Sequence, residues 1–385
     1  METLIHHSQK TYEEGASDAT KWAKDKLYKE INEGKDCVEE TLNRIFTQVP
    51  KDVIVPANRI EFLPEVHPQN GKGLILGHPT STNSTEREWL GVHDNALMQM
   101  CSKANLPIRY ARDLISQFNK EKEDESFWGP ELLAHNFNEL MKNSNQRHLL
   151  RSYKGELRGF LSDRYKRLDS QQLAEKFVEG MNQVGAIPVK GDFSDTSFHL
   201  RALLPQVYEP IPNEVLAFGM SWSNSDYGRG ANVIEIFALR LWCTNYAIGQ
   251  NCMRQVHIGR RFAAGGIEFS EKTQDLDTQA SVSAMSDVIQ GGLKENNIHK
   301  ILSSIRDAYE EDIHPKTVFA KLHKRMGKVL AEEVIETYNS ADVENLPAGN
   351  SKWRMSNAIS WVAKEKDIDQ RFKLMRIAGE YANMT

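Results

Sequence analysis

Between residues 11 and 48 apolar positions recur at helical spacing in two stripes. Trp22, Leu27 and Ile31 form the first, and Val38, Leu42, Ile45 and Phe46 the second. Gly34 lies between them, so the pattern predicts two helices broken at that glycine. The pattern changes over residues 50–80, where Pro50, Pro56, Pro64, Pro68 and Pro79 enclose short apolar runs at 53–55 and 74–76. That spacing predicts extended segments and turns. Residues 80–92 begin as a polar loop. From Asp94 helical spacing returns, with two short helices split at Pro107 and a third from about Pro130 to Met141 after the charged loop KEKEDES. The N-terminal third therefore reads as a helical layer.

In the middle of the chain the period falls to two. Lys154-Gly155 separates two short runs, a hairpin signal. Residues 171–185 have helical spacing, and 198–205, 215–224 and 232–245 read as strands. Leu216, Phe218, Met220 and Trp222 point one way, and Ala217, Gly219, Ser221 and Ser223 the other. Phe198, Leu200, Ala202 and Leu204 likewise oppose His199, Arg201 and Leu203. Such alternation predicts antiparallel strands with one buried face. The final third is helical again, with breaks at Gly291-Gly292, Pro315 and Pro347 and one long amphipathic run from Lys316 to Asn339. The plan is α+β: a central, mostly antiparallel sheet over about residues 150–245, flanked by N-terminal and C-terminal helical layers. Three regions are expected: 1–80 (helical hairpin and extended segment), 81–310 (α+β core) and 311–385 (C-terminal helices).

Charge adds the main functional signal. The chain carries a formal net charge of −5, yet Ile236 to Ile267 contains no acid and four arginines, Arg240, Arg254, Arg260 and Arg261, with His257. A second basic stretch, residues 147–170, places seven Arg or Lys residues against three acids. Local fields of this sign attract phosphate. Cys37, Cys101, Cys243 and Cys252 are scattered without zinc-ligand spacing, as expected for reduced thiols in a cytoplasmic protein. The polar N-terminus does not resemble a signal peptide, and no apolar run approaches the about 18 residues needed to span a bilayer. Cytoplasmic location, in a host cell if the protein is viral, and no membrane partner are therefore expected.

Four stretches carry a resemblance to a known family: residues 93–114, 155–173 with its S-D-R-Y strand end, 218–245 with its R-L-W-C-T-N strand end, and 256–264. Together, over about residues 85–310, they resemble the domain of unknown function 932 family of phage- and plasmid-borne proteins. The chain departs from that pattern at Ser223-Asn224-Ser225-Asp226-Tyr227-Gly228, where a turn of the Ser-His-Asp-Gly type is expected. The resemblance implies a mobile-element setting and no established activity. A more remote architectural likeness, hairpins with a helix crossing a sheet, is to single-strand annealing proteins.

Several clusters have chemistry to offer. Arg158, Arg164, Lys166 and Arg167 would neutralise phosphates along one wall of a groove, and Arg254, Arg260 and Arg261 along the other, with Arg201 between. Arg240 and Trp242 share a strand face, where a guanidinium beside an indole could stack a splayed base. The plainer alternative is that Trp242 is core and Arg240 pairs with Glu235 or another buried acid. Asp226 could hold a metal or a ribose, or simply cap a hairpin turn. His93 beside Asp94 fits a helix cap. KLHKRMGK (321–328) could meet nucleic acid or be a solvated face.

Enzyme signatures are poor. GKGLILGH lacks the Walker A spacing, and neither HExxH nor GxSxG occurs. The reading favours a non-catalytic nucleic-acid-binding protein without cofactor, acting on single-stranded DNA in replication, recombination or annealing. A footprint of about six phosphates would cost on the order of 10³ in affinity between 50 and 200 mM salt. One alternative is a host-interaction or anti-defence protein. A second is a metal-dependent nuclease assembled from Asp163, Asp195, Asp226 and Glu235. Self-association into a homo-oligomer is left open.

Overall fold

A computed structural model describes residues 5–6, 18–64, 73–81, 84–117, 128–212, 214–241, 245–255, 257, 271–340 and 346–384. The fold is α+β, with sheets of mostly antiparallel strands flanked by helices at both ends of the chain. Near its start stand two helices, α1 (Asp18–Glu33) and α2 (Lys35–Thr47), broken at Gly34 as the two stripes predict. A methyl group at Gly34 would collide with the carbonyl of Val189, so only glycine lets α2 dock on the strand there.

The described strands form two sheets, not one. The first comprises β2 (Lys51–Pro56), β3 (Glu61–Pro64), β4 (Leu74–Pro79), β5 (Arg87–Val92), β6 (Arg147–Tyr153) and β7 (Glu156–Ser162), in the order β2-β6-β7-β5-β4-β3. Helices α3 (Asp94–Ala104), α4 (Ile108–Ser116) and α5 (Trp128–Lys142) pack with it. The β6–β7 turn is the predicted hairpin. Lys154 and Gly155 take φ of 48° and 78°, the two left-handed residues that a tight two-residue turn needs.

The second sheet comprises β1 (Ile5–His6), β8 (Ile187–Phe193), β9 (Phe198–Leu203), β10 (Val207–Ile211), β11 (Glu214–Asn224), β12 (Asn232–Arg240) and β13 (Asn245–Gln255). Its helices are α1, α2, α6 (Ser170–Gln183), α7 (Glu271–Gly292), α8 (Glu295–Glu310), α9 (Pro315–Met326), α10 (Lys328–Asn339), α11 (Lys352–Ala363) and α12 (Ile368–Tyr381).

Two expectations need correction. β9, β11 and β12 alternate as predicted, but both faces are buried. One face meets α2, α6 and α7, where Phe177 stacks on Trp222 and Gly292 abuts Met220. The other meets α12, where Phe372 stacks on His199 and Gly379 abuts Ile248. The run from Lys316 to Asn339 is not one helix. It breaks at Gly327, whose φ of 84° ends α9 and starts α10.

The hydrophobic cores do not follow the boundaries at 80 and 310. One core runs from Val55 to Phe160; the other joins Ala23–Ile45 to Leu168–Met384. The smaller body is therefore inserted between α2 and α6 of the larger one. Among the described residues no helix is long and apolar enough to cross a membrane.

Candidate nucleic-acid interface

The two basic segments meet. The Lys166 backbone N–H donates to the His257 carbonyl at 3.2 Å, and His257 Nδ1 lies 3.0 Å from the Lys166 carbonyl oxygen. The Tyr165 ring stacks on His257 with centroids 4.9 Å apart. This joint sits where the two cores abut, and the loop after β11 fills it. The Asp226 carboxylate is buried and accepts from the Ser170 backbone N–H, the Ser170 hydroxyl and the Asn224 amide. It caps α6 from across the chain. The Tyr227 carbonyl accepts from Asn95 and Gln99 of α3, and Gln99 in turn accepts from the Phe160 N–H of β7.

At the centre is Arg151, 1% exposed. Its Nε and Nη2 each lie 2.7 Å from a carboxylate, Asp52 and Asp169, and its Nη1 donates to the Asp226 carbonyl at 2.6 Å. Burial disfavours its charge, but Asp169 and Asp52 more than compensate and hold it protonated. Burial pushes the Asp226 pKa up to about 6, with Asp169 adding to the rise, while the Ser170 bonds and Arg151 oppose it. Burial likewise draws His257 down to about 4. Its Nε2 lies 3.0 Å from Asn224 Oδ1, so both ring nitrogens face oxygens, an arrangement that also suits a protonated ring.

Most of the cations read from the sequence are already neutralised. Arg158 pairs with Glu156 at 2.8 Å and donates to the Asp195 carbonyl. Lys166 pairs with Asp277 at 2.5 Å, and Arg167 with Asp52 at 2.8 Å. Arg201 is buried against Asp192, and Arg240 is buried with its Nε and Nη2 each 2.6 Å from Glu214, to which Trp353 Nε1 also donates. Neither Arg201 nor Arg240 can touch a polynucleotide, because the two project from opposite faces of their sheet and both faces are covered by helices. The partner of Arg240 is Glu214; Glu235 is held by Arg376 instead. Arg164 and Arg254 are exposed, with no ion-pair partner among the described residues. Trp242, Arg260 and Arg261 lie outside the described residues.

The nuclease carboxylates are not assembled. Asp226 is committed to Ser170 and Asn224 and Glu235 to Arg376, and among the described residues no three metal-ligating side chains come together. His93 is a helix cap: its Nδ1 accepts from the Asn95 N–H at 3.1 Å. Arg151 as the central residue of the joint was not singled out in the sequence, although it stands in the basic hairpin. Compared with models of protein families, with curated proteins and with solved structures, the chain matches none.

Proposed function

We propose that the protein binds single-stranded nucleic acid, DNA in the first instance, along the joint where Lys166 meets His257, in the setting of a phage or plasmid. The observation that carries this reading is the pair of contacts between Lys166 and His257, which bring two basic segments of distant sequence together. Arg164 and Arg254 leave that joint exposed. Arg260 and Arg261 follow directly in sequence. Lys166 and Arg167, bound to acids, shape the joint and contribute little charge.

The neutralised arginines reduce the expected footprint from six phosphates to about four, which for a single strand gives a slope of log affinity on log salt of about −2.8. Binding of a labelled oligonucleotide should weaken about 50-fold from 50 to 200 mM salt. Arg164→Ala with Arg254→Ala should flatten the slope by about 1.4. Absence of binding at 50 mM salt, or a slope that ignores the double substitution, rejects the reading.

A protein partner is the second reading, and one surface favours it. Tyr110, Trp128, Leu132 and Leu140 expose apolar area along α4 and α5, beside a cleft of about 640 Å³. Loss of a host protein contact on Trp128→Ser with nucleic-acid binding intact would identify that route.

A further inference from the structure

Arg201 stands at the centre of a cationic cluster under α12. In the β8–β9 register Lys190 lies opposite Arg201, and Asp192 opposite His199. Residues opposite one another in an antiparallel pair project from the same face, so these four share it. Phe372 of α12 closes that face, 4.2 Å from the His199 ring, and Tyr246 of β13 lies 4.6 Å from the Arg201 guanidinium. From α12, Arg371 Nη1 reaches Asp192 at 3.4 Å, and its Nη2 donates to the Lys366 carbonyl. Three cations, Lys190, Arg201 and Arg371, thus surround one carboxylate. Of the other acids near this face, Glu235 is taken by Arg376 and Asp369 by Arg229, while Glu30 of α1 acts on Tyr246 beside Arg201.

The donors outnumber the acceptors in the same way. Arg201 spends Nη2 on Asp192 at 2.5 Å, while its Nε and Nη1 are buried without a partner. Arg371 Nε and both ring nitrogens of His199 are in the same position. Like charges opposite one another in a ladder repel, and buried donors without acceptors destabilise a fold. Burial and then the neighbouring Arg201 pull the Lys190 ammonium down from its usual range. Burial would raise the Asp192 carboxyl, yet Arg201, Lys190 and Arg371 hold it low. Every sign points to a local shortage of negative charge and of oxygen acceptors. β8 pairs with β9 alone among the described strands, and its other edge is met by Gly34 at Val189 and by Cys37 at Gly191; on the cluster's face Lys190 is half-buried, and the Asp192 and Arg371 side chains are 14% and 20% exposed.

We propose that the β8 edge binds a small oxyanion of the phosphate class, held by Lys190, Arg371 Nε and the open donors of Arg201. The aromatic walls of Phe372 and Tyr246 limit the ligand to the phosphate group itself. The site is separate from the nucleic-acid joint and does not depend on that reading.

The test is thermal unfolding and calorimetry of the full chain at pH 7.5 in inorganic phosphate, in sulfate, in a nucleoside monophosphate and in chloride of equal ionic strength. Phosphate and sulfate should give a saturable rise in Tm that chloride does not. A matching response to the nucleoside monophosphate would assign the site to phosphate esters, and a response to the free ion alone would assign it to inorganic anions. Arg201→Met could fail to fold, so the decisive variants are Lys190→Met and Arg371→Gln at the half-open edge. Each should weaken phosphate at least 10-fold, while Arg164→Ala leaves it unchanged. Superimposed phosphate and chloride curves, or wild-type affinity in both edge variants, would overturn the proposal and leave water as the partner of these donors.

Discussion

Acid should destabilise this protein well above the carboxylate range, and His148 allows the effect to be isolated. The ring is 2% exposed, 4.4 Å from Phe160 and beside the Leu161 backbone. Burial, with help from Lys103, draws its pKa down to about 4. The unfolded chain binds this proton near pH 6.5 and the folded one near 4. Stability is therefore complete above 6.5 and is lost as pH falls toward 4. Between pH 7 and 5 the loss is about 2 kcal/mol for this ring. His199, also held near 4 by burial, adds a similar amount. Asp226 works the other way: its folded pKa near 6 exceeds the unfolded value of 3.8, so the fold gains about 1.3 kcal/mol over the same interval. His257, drawn down to about 4 as well, adds a comparable loss. The wild type should lose about 4–5 kcal/mol from pH 7 to 5. His148→Phe keeps the stacking on Phe160 and removes the titration, so it should lose about 2 kcal/mol less. Urea unfolding in half-unit pH steps reads both slopes. Parallel slopes for variant and wild type would refute the claim that His148 stays neutral in the fold.

Three further outcomes follow from single side chains. Arg151→Met should cost on the order of 3 kcal/mol and separate urea unfolding into two transitions, because it releases the acids that tie the two cores together. Circular dichroism and fluorescence that still coincide would argue against that role. Glu214→Gln strands the buried Arg240 guanidinium and should cost about 3–5 kcal/mol, whereas Glu214→Leu with Arg240→Met should recover most of it. Gly34→Ala should lower Tm by several degrees, since α2 must move off Val189 to admit the methyl; an unchanged Tm would show that the α1–α2 turn has slack.

Much of the local structure can be read from the residues. The stripes around Gly34, the split at Pro107, the Lys154-Gly155 turn and the His93 cap all follow from short-range chemistry, and each is present. Features that depend on the whole chain were less legible. Alternation along β9 and β11 implies one buried face, but α12 arrives from the far end of the sequence to bury the second. The same long-range packing explains the lost cations. A basic residue and the acid that neutralises it can lie far apart in sequence, as Arg167 and Asp52 do. Charge counted in a window therefore overstates the charge left on the surface. The meeting of residues 166 and 257 was expected in outline, while the cluster around Lys190 and Arg371 gave no local signal, because its members come from β8, β9 and α12.

The nested topology gives Arg151 a second meaning. Asp52 lies where the chain leaves the larger body, and Asp169 where it returns, so one guanidinium fastens both strands of the doorway. The distance between them is thereby set without help from either core. A linker replacing residues 53–167 would have to hold Asp52 and Asp169 together without Arg151, so the outer body with its guest excised should be less stable than the whole chain.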